Sequence, residues 1–374
     1  MARVGIMSMQ RIANYGSFLQ AYALKIMLEE LGHQVQFVDY HIGAPVIRDV
    51  DESDSKLIRA FKKGFEVFGY HAPLSHKLAF IRYKKQYGSK YLSLLGISET
   101  RNYNPKLDCL VIGSDEVFNC IQKNTNVGFS PELFGAHNNA NRVISYAASF
   151  GNTTLEKLYK YDKVDEIAHY LRTIDAISVR DSNSGKIVET LTGKKPLYHL
   201  DPVLAYDYFG KCEKIPQITT SEKYLILYAY SGRITGEESD WIAAYAKRRG
   251  LKVYAIGGVQ KCADRFIDCS PFEVLGYFRN AQEIITDTFH GSIFSIIAHK
   301  RFATIVRKSA GNSYGNEEKL SDLLNRIGLH DRAVYSLYKA DKILAQPIDY
   351  DSVDMALGQA RFATREYLRK NVKE

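Results

Sequence analysis

The stretch Glu283–Val306 carries the residues of this sequence that are best placed to do chemistry. A β-branched run, Glu283–Asp287, is followed by Thr288-Phe289-His290-Gly291, and the apolar pattern predicts a helix that begins at Ser292. This order places His290 just past the carboxyl end of a strand and at the amino end of a helix. An imidazole exchanges protons near neutral pH, and the free N–H groups of a helix amino terminus favour an anion. The competing interpretation is that the residues before Phe289 only cap the helix and that His290 is a loop residue.

Several other predicted strand ends carry polar side chains. The strand Ala176–Val179 delivers Arg180 and Asp181 to its end, and a guanidinium at that place suits a phosphate or a carboxylate. The competing interpretation is a surface ion pair between Arg180 and Asp181. Two further cations, Arg307 and Lys308, follow the last strand of the stretch that contains His290. The other polar residues at predicted strand ends are Ser114, Asp115, Ser149 and Asp201.

A second candidate binding segment is Asn14-Tyr15-Gly16-Ser17, which lies between a predicted strand, Arg3–Ser8, and a predicted helix, Phe18–Leu31. Asn14, Gly16 and Ser17 could present N–H groups and a hydroxyl to a ligand. The same tetrapeptide is also typical of a simple turn and helix cap. The segment lacks the G-x-G-x-x-G spacing, so the sequence does not support a dinucleotide site.

Strands and helices alternate in two halves of the chain, and a polar stretch with Pro216 separates the halves. We therefore expect an α/β protein of two Rossmann-like domains with an interdomain cleft, similar in plan to the GT-B glycosyltransferases. Ligands of such sheets bind beyond the carboxyl ends of the strands, so we expect His290 and Arg180 in that cleft. The predicted parts are an N-terminal domain (1–205) with a basic helical insertion (49–104), a linker (206–222), a C-terminal domain (223–345), and a helix that crosses back to the first domain (346–374).

The composition narrows the class of protein. The 374 residues are 45% hydrophobic and 25% charged, which is typical of a globular protein, and no apolar stretch is long enough to span a membrane. The five cysteines form no C-x-x-C pair, which argues against a disulfide framework and a structural zinc site. We therefore expect a protein of the reducing cytoplasm without a metal site.

The window Lys56–Lys90 is strongly basic. It holds nine Lys or Arg residues and one acid, Glu66, and its net charge of +8 equals that of the whole chain. Leu57, Phe61 and Phe65 recur at helical spacing with cations on the other side. The window could be a packed helix with a solvated basic face or a contact to the inner face of a membrane. We expect no nucleic-acid partner, because no recognisable binding module accompanies the charge.

Six short segments carry a common pattern. The segments are Asn14 to Leu24 (NYGSFLQAYAL), Val111 to Asn119 (VIGSDEVFN), Ser145 to Gly151 (SYAASFG), Ile177 to Asp181 (ISVRD), Asp201 to Leu204 (DPVL) and Thr286 to Ser292 (TDTFHGS). Together, and in this order, they resemble the polysaccharide pyruvyl transferase family, and the resemblance covers most of the chain, from about residue 3 to residue 333. One departure follows the last strand, where a loop rich in glycine and asparagine comes after Arg307 and Lys308.

The resemblance implies that a pyruvyl group moves from phosphoenolpyruvate to two hydroxyls of a sugar, giving a cyclic ketal. The acceptor would be a surface polysaccharide or its lipid-linked precursor, and phosphoenolpyruvate would be a co-substrate without any cofactor. His290 would be the general acid and base, and Arg180 would clamp the donor's phosphate or carboxylate. The other donor-binding residues would be Thr288, Gly291, Ser292, Arg307 and Lys308. The acceptor-binding residues would be Asn14, Gly16, Ser17, Ser114, Asp115 and Ser149.

Two other functions fit the same sequence. The first is a glycosyltransferase that uses a nucleotide sugar, in which His290 would lie beside a diphosphate. The second is a non-catalytic protein of polysaccharide assembly that binds the membrane surface. A thermal-shift panel of phosphoenolpyruvate, nucleoside diphosphates and nucleotide sugars would distinguish these functions.

Overall fold

The computed structural model describes residues 1–47, 66–308 and 315–373, and these form two compact units. The first unit holds 1–47, 92–206 and 355–373, and the second holds 66–91, 207–308 and 315–354. Each unit has its own parallel sheet and its own apolar core. The predicted α/β class with two Rossmann-like domains is therefore confirmed.

The sheet of the first unit has four parallel strands in the order β2–β1–β3–β4. A parallel pair, β5–β6, continues from β4 through isolated bridges such as that between Ala148 and Val179. β3 is nearly all buried, as expected for a parallel strand with both faces covered. The strands are β1 (Arg3–Met7), β2 (Gln34–Phe37), β3 (Leu107–Ile112), β4 (Ala140–Ser145), β5 (Ser178–Val179) and β6 (Leu197–Tyr198).

The helices of the first unit begin at polar caps. Thr154, Asp181 and Asp201 each accept a backbone N–H at the start of a helix. The segment that follows Thr154 forms two helices and not one, because Asp162 takes a left-handed conformation (φ +51°) between them. The α-helices of this part of the chain are α1 (Tyr15–Glu30), α3 (Leu155–Lys160), α4 (Val164–Thr173), α5 (Ser182–Thr192) and α6 (Pro202–Ala205), with α2 described below.

The second unit has six parallel strands in the order β12–β11–β10–β7–β8–β9. β7 and β10 lie at the centre and are buried along their whole length. Position in the sheet therefore places the residues that follow β7 and β10 side by side at the carboxyl edge. The strands are β7 (Tyr224–Tyr228), β8 (Lys252–Ile256), β9 (Arg265–Phe266), β10 (Glu283–Thr286), β11 (Arg301–Ile305) and β12 (Ala333–Val334).

Two helices of the second unit begin with a capping box. In this motif the side chain of the cap residue accepts the N–H of the residue three positions on, and the side chain of that residue accepts the N–H of the cap. Thr235 and Glu238 form one box, and Ser270 and Glu273 form the other. The α-helices assigned mainly to this unit are α2 (Leu74–Tyr91), α7 (Tyr208–Lys211), α8 (Gly236–Arg249), α9 (Pro271–Asn280), α10 (Phe289–Ile297), α11 (Glu317–Arg326) and α12 (Ala340–Ala345).

Residues 66–91, which fall within the insertion expected at 49–104, cluster with the second unit, and residues 92–104 cluster with the first. The ring of Phe80 packs edge-on against Phe266 of β9, with centroids 5.7 Å apart. Tyr83 and Tyr87 are buried on the same helix, α2. The aromatic residues of this helix therefore pack largely inside the protein, while the amphipathic segment predicted around Phe61 lies outside the described residues.

The last helix, α13 (Tyr350–Asn371), begins in the second unit, and its residues from 355 onward belong to the first. The Tyr350 hydroxyl donates a hydrogen bond to the carbonyl of Lys300 (2.6 Å), and the Tyr367 hydroxyl donates one to Ser145 (2.7 Å). Within the described ranges, no helix is long and apolar enough to cross a membrane.

Candidate functional site

The segment around His290 forms the first turn of α10, which begins at Phe289 and not at Ser292 as predicted. Thr288 is the cap, since its hydroxyl accepts the N–H of Gly291 (2.9 Å). A side chain at Gly291 would collide with the hydroxyl of Thr286 and with the ring of Tyr228. This close approach holds the helix terminus, with His290 in it, against the ends of β7 and β10.

Two of the predicted donor-binding residues have structural roles in this turn. Ser292 is completely buried, and its hydroxyl bonds to the carbonyl of Thr288 (3.1 Å) and to the hydroxyl of Thr304 (2.9 Å). Thr288 is 4% exposed and its hydroxyl caps the helix. The interactions that form the turn therefore occupy both hydroxyls.

Asp287 is a buried carboxylate directly before the cap. Its side chain is completely buried, and among the described residues neither of its oxygens has a hydrogen-bond partner. Arg233, in the loop after β7, comes within 3.9 Å of it and lies over the ring of Tyr230. Burial raises the pKa of Asp287 to about 6, although the charges of Arg233 and Arg307 act in the opposite direction.

Arg307 forms a two-pronged ion pair with Glu238 at the start of α8, with N–O distances of 3.1 and 2.9 Å. The buried Asn316 accepts the N–H of Arg307 (2.7 Å) and donates to the carbonyl of Asp287 (2.8 Å). This amide therefore ties together the segments that follow β10 and β11. Lys308 is exposed, and its ammonium lies over the ring of Tyr335.

The first unit has its own polar edge, at which Asn14 caps α1. The Asn14 side chain accepts the N–H groups of Gly16 (2.7 Å) and Ser17 (3.3 Å), so the cap occupies the N–H groups that we expected to meet a ligand. The Ser17 hydroxyl donates to Asp115 (2.6 Å). Asp115 takes a left-handed backbone conformation (φ +71°), which directs the chain away from β3.

Ser114 belongs to a buried hydrogen-bond network. Its hydroxyl donates to the carbonyl of Ala147 (2.9 Å), and its N–H donates to the side chain of Gln20 (3.2 Å). Gln20 in turn donates to the hydroxyl of Ser8 (2.8 Å). Ser114 is completely buried, so the structure gives this predicted acceptor-binding residue a role in joining α1 to the ends of β1 and β3.

Arg180 is buried between two carboxylates. Its guanidinium donates to Asp201 (2.8 Å) and lies 3.8 Å from Asp115. Burial by itself lowers the pKa of Arg180, but the charges of Asp201 and Asp115 outweigh burial and raise it. The alternative surface pair with Asp181 is wrong, because Asp181 caps α5 and accepts the Ser149 hydroxyl (2.5 Å).

A cavity of about 420 Å³ opens at the ends of β1 and β2, next to the segment that contains Asn14. Arg11 and Arg101 line it, and both donate to the buried carboxylate of Asp39, at 2.5 and 3.1 Å. None of these residues was predicted from the sequence. Asp39 follows a strand, and that position could have identified it. Arg101 lies in a loop far from Asp39 along the chain, so no local pattern connects the two residues.

The structure thus groups the predicted residues by unit. Ser17, Asp115 and Arg180 lie together in the first unit, whereas His290 and Arg307 belong to the second. Arg233 was not predicted from the sequence either, because the only feature that marks it there is its place after β7. Within the described ranges, no group of three or more His, Cys, Asp or Glu side chains is arranged to hold a metal ion.

A family described as polysaccharide pyruvyl transferase matches residues 14–309 of the chain. No curated protein matches the chain in sequence. An O-GlcNAc transferase mutant of Thermobaculum terrenum resembles the chain with a TM-score of 0.43 and 10% identity, and the match covers 99% of this chain but 65% of that one.

Two other solved structures match over nearly the full length of both chains. One is a UDP-GlcNAc 2-epimerase of Neisseria meningitidis bound to UDP-GlcNAc, with a TM-score of 0.44, 10% identity, and coverage of 99% of this chain and 100% of that chain. The other is the glycosyltransferase SsfS6 of Streptomyces sp. SF2575 complexed with thymidine diphosphate, with a TM-score of 0.46, 11% identity and 99% coverage of each chain.

Proposed function

The chain belongs to the polysaccharide pyruvyl transferase family, and from this premise we propose that it moves a pyruvyl group from phosphoenolpyruvate to two hydroxyls of a saccharide. The product is a cyclic ketal, and inorganic phosphate leaves. The observation that carries the proposal is the edge of the second unit, where the amino terminus of α10 and partly exposed cations accompany a histidine.

The charges at this edge suit a small, highly charged anion. Arg233 and Arg307 have side chains that are 26% and 22% exposed, so each can offer N–H groups to a ligand while it keeps its carboxylate partner. Lys308 adds an exposed ammonium. The helix terminus contributes partial positive charge, and charge-assisted hydrogen bonds to phosphate are among the strongest available.

The reaction needs a positioned acid. The methylene carbon of phosphoenolpyruvate gains a proton, and an acceptor hydroxyl adds to the neighbouring carbon and loses its own proton. The C–O bond to phosphate then breaks with its electron pair on phosphate. The second hydroxyl attacks the same carbon, loses its proton and closes the ketal. We assign His290 to the first proton transfer and to the recovery of a proton from a hydroxyl, since imidazole serves in both directions near neutral pH.

We assign Arg180 a positioning role instead of the direct clamp that the sequence predicted. One guanidinium faces the carboxylates of Asp201 and Asp115, so this cluster has no surplus positive charge for an anion. Its arrangement instead holds Asp115, whose carboxylate accepts the Ser17 hydroxyl. A saccharide hydroxyl can bond to Asp115, whose side chain is 13% exposed, and the acceptor role of Ser17 and Asp115 is kept in the proposal.

We also propose that α2 contacts the inner face of a membrane, where a lipid-linked acceptor would be found. Leu74, Leu78, Arg82 and Lys85 recur at helical spacing and are all exposed. A helix face that carries both apolar groups and cations binds anionic interfaces.

A ligand panel tests the donor. We expect phosphoenolpyruvate to raise the melting temperature, while nucleoside diphosphates and nucleotide sugars give no stabilisation through the same edge. Arg233→Ala should weaken phosphoenolpyruvate binding by about tenfold or more, the usual loss for one charge-assisted bond. Arg265→Ala is the matched control, because Arg265 also lies over a tyrosine ring in the second unit. Stabilisation by a nucleoside diphosphate that Arg233→Ala removes would favour the glycosyltransferase alternative.

A further inference from the structure

A cavity of about 770 Å³ lies in the first unit, at the opposite end of β5 from Arg180. Its walls include Asp175–Ile177, which precede β5, and Lys194–Pro196, which precede β6. The last turns of α13 form another wall. The proposed transfer reaction uses none of these residues.

The floor of this cavity is apolar and aromatic. Leu171 and Val188 line it with the side chains of His199 and Tyr367. The two rings are buried and their centroids are 4.5 Å apart, so they form one continuous surface. The Ser178 hydroxyl lies 2.7 Å from His199 Nδ1 and fixes the imidazole in place. A flat or apolar group could pack on this floor without displacing any chain segment.

The rim of the cavity is strongly basic. Six cationic side chains and two acidic ones line it, for a net charge of +4. The acids are already engaged, because Asp175 accepts the N–H of Val143 (2.8 Å) and Glu366 pairs with Arg369 (2.7 Å). The six cationic residues are Arg172, Lys194, Lys195, Arg369, Lys370 and Lys373.

Helix dipoles explain only part of this charge. α4, α5 and α13 all end at the cavity, and the partial negative charge of a helix carboxyl end, roughly −0.5 each, amounts to about −1.5. The net charge of +4 on the rim is larger than this negative charge of the helix ends. Moreover, the ammonium groups of Lys194, Lys195, Lys370 and Lys373 have no hydrogen-bond or ion-pair partner in the described part of the chain. Clustered like charges without partners are the arrangement that an anionic ligand would relieve.

We infer that this cavity binds a small phosphorylated molecule with a ring or apolar part, of the nucleotide class. Its volume falls in the range of roughly 300–1,000 Å³ that is typical of small-molecule sites. The phosphates would pair with the lysines of the rim, and the ring would pack on His199 and Tyr367. The site is separate from the second-unit edge, so the inference does not depend on the proposed function.

Calorimetric titration of the full chain with uridine diphosphate tests the inference. We expect binding that Lys194→Glu/Lys370→Glu weakens by about tenfold or more, since two charge-assisted contacts are reversed. The matched control is Lys339→Glu/Lys342→Glu, which makes the same charge change at exposed positions of the second unit and should leave binding unchanged. Arg307→Ala should also leave it unchanged, which separates this site from any diphosphate site near His290.

Four outcomes would overturn the inference. Uridine diphosphate could fail to bind, or could bind equally well to the double reversal. Inorganic phosphate could bind as tightly as the nucleotide, in which case the aromatic floor recognises nothing. Finally, vesicles with anionic lipid could bind the wild-type chain but not the double reversal while the nucleotide does not bind, which would identify the rim as a membrane-binding surface. Circular dichroism of each variant ensures that a lost signal is not lost folding.

Discussion

The two units arrange opposite charges at the same kind of sheet edge. In the first unit, the buried group is the guanidinium of Arg180, which lies between the carboxylates of Asp201 and Asp115. In the second unit, the buried group is the carboxylate of Asp287, and the cations nearby, Arg233 and Arg307, stay partly exposed. A buried cation satisfied by two acids holds its own unit together. Partly exposed cations around a buried acid can face an anion, so similar sheet edges can have different roles.

The largest effect that the comparison predicts is at His290. His290→Ala should lower the rate of phosphate release from phosphoenolpyruvate by about 10²–10⁴-fold, because proton transfer contributes that much. Donor binding, measured by calorimetry, should change little. His299→Ala is the control, since His299 is an exposed histidine that follows the same helix. Full turnover in His290→Ala would mean that another residue is the acid and that the edge of the second unit only binds the donor.

The next effect concerns Arg180 and is expected in stability. Arg180→Met leaves the buried carboxylate of Asp201 without its cationic partner, which typically costs about 3–5 kcal/mol. The measurement is the free energy of unfolding in urea, with Arg369→Met as an exposed arginine control that should change it by less than about 1 kcal/mol. Adding Asp201→Asn to Arg180→Met should recover part of the loss. Normal stability combined with weakened phosphoenolpyruvate binding would instead restore the clamp that the sequence predicted.

Asp287 should give a smaller effect that depends on pH. Its pKa is about 6 in the folded chain and about 3.9 in an unfolded one, so folding disfavours the charged form. The resulting destabilisation is absent below about pH 4, grows as the pH rises to about 6, and is complete above that. Asp287→Asn should therefore be more stable than wild type at neutral pH by up to about 3 kcal/mol, with little difference near pH 4.

Urea unfolding of both proteins from pH 4 to pH 8 measures this difference. Asp240→Asn is the control, because it makes the same change at an exposed aspartate of the second unit. If the difference in the free energy of unfolding between Asp287→Asn and the wild type does not change with pH, the carboxylate is well solvated or hydrogen-bonded in solution. The contrast between the two edges would then be smaller than the structure indicates.

The sequence predicted the elements better than the contacts between them. The predicted strand Arg3–Ser8 is observed at Arg3–Met7, and the β-branched run Glu283–Asp287 forms β10, Glu283–Thr286. His290 lies at a helix start as predicted, although α10 begins three residues earlier because Thr288, and not a later residue, caps it. These features depend on neighbours within a few positions of the chain, which a pattern can capture.

Contacts between distant segments were beyond the pattern. The pair of Arg180 with Asp201 joins residues 21 positions apart, and nothing in the local sequence favours it over Asp181. Arg233 was missed because its relation to Asp287 arises only when β7 and β10 pair in the sheet. The assignment of α2 to the second unit likewise depends on the packing of Phe80 against Phe266.

The smallest effect concerns the outer face of α2, which extends the comparison from sheet edges to helix faces. The inner face packs Tyr83 and Tyr87 into the second unit, whereas Leu74, Leu78, Arg82 and Lys85 are exposed. Basic residues near an anionic leaflet contribute about 1 kcal/mol each, and salt screens the attraction. We expect the chain to sediment with anionic vesicles at low salt, and Arg82→Glu/Lys85→Glu to reduce the bound fraction without changing turnover. The exposed pair Lys339→Glu/Lys342→Glu is the charge-matched control. If the wild-type chain stays in the supernatant even at low salt, this face of α2 contacts only water. The cations of the second unit that bind a ligand would then be those at its sheet edge.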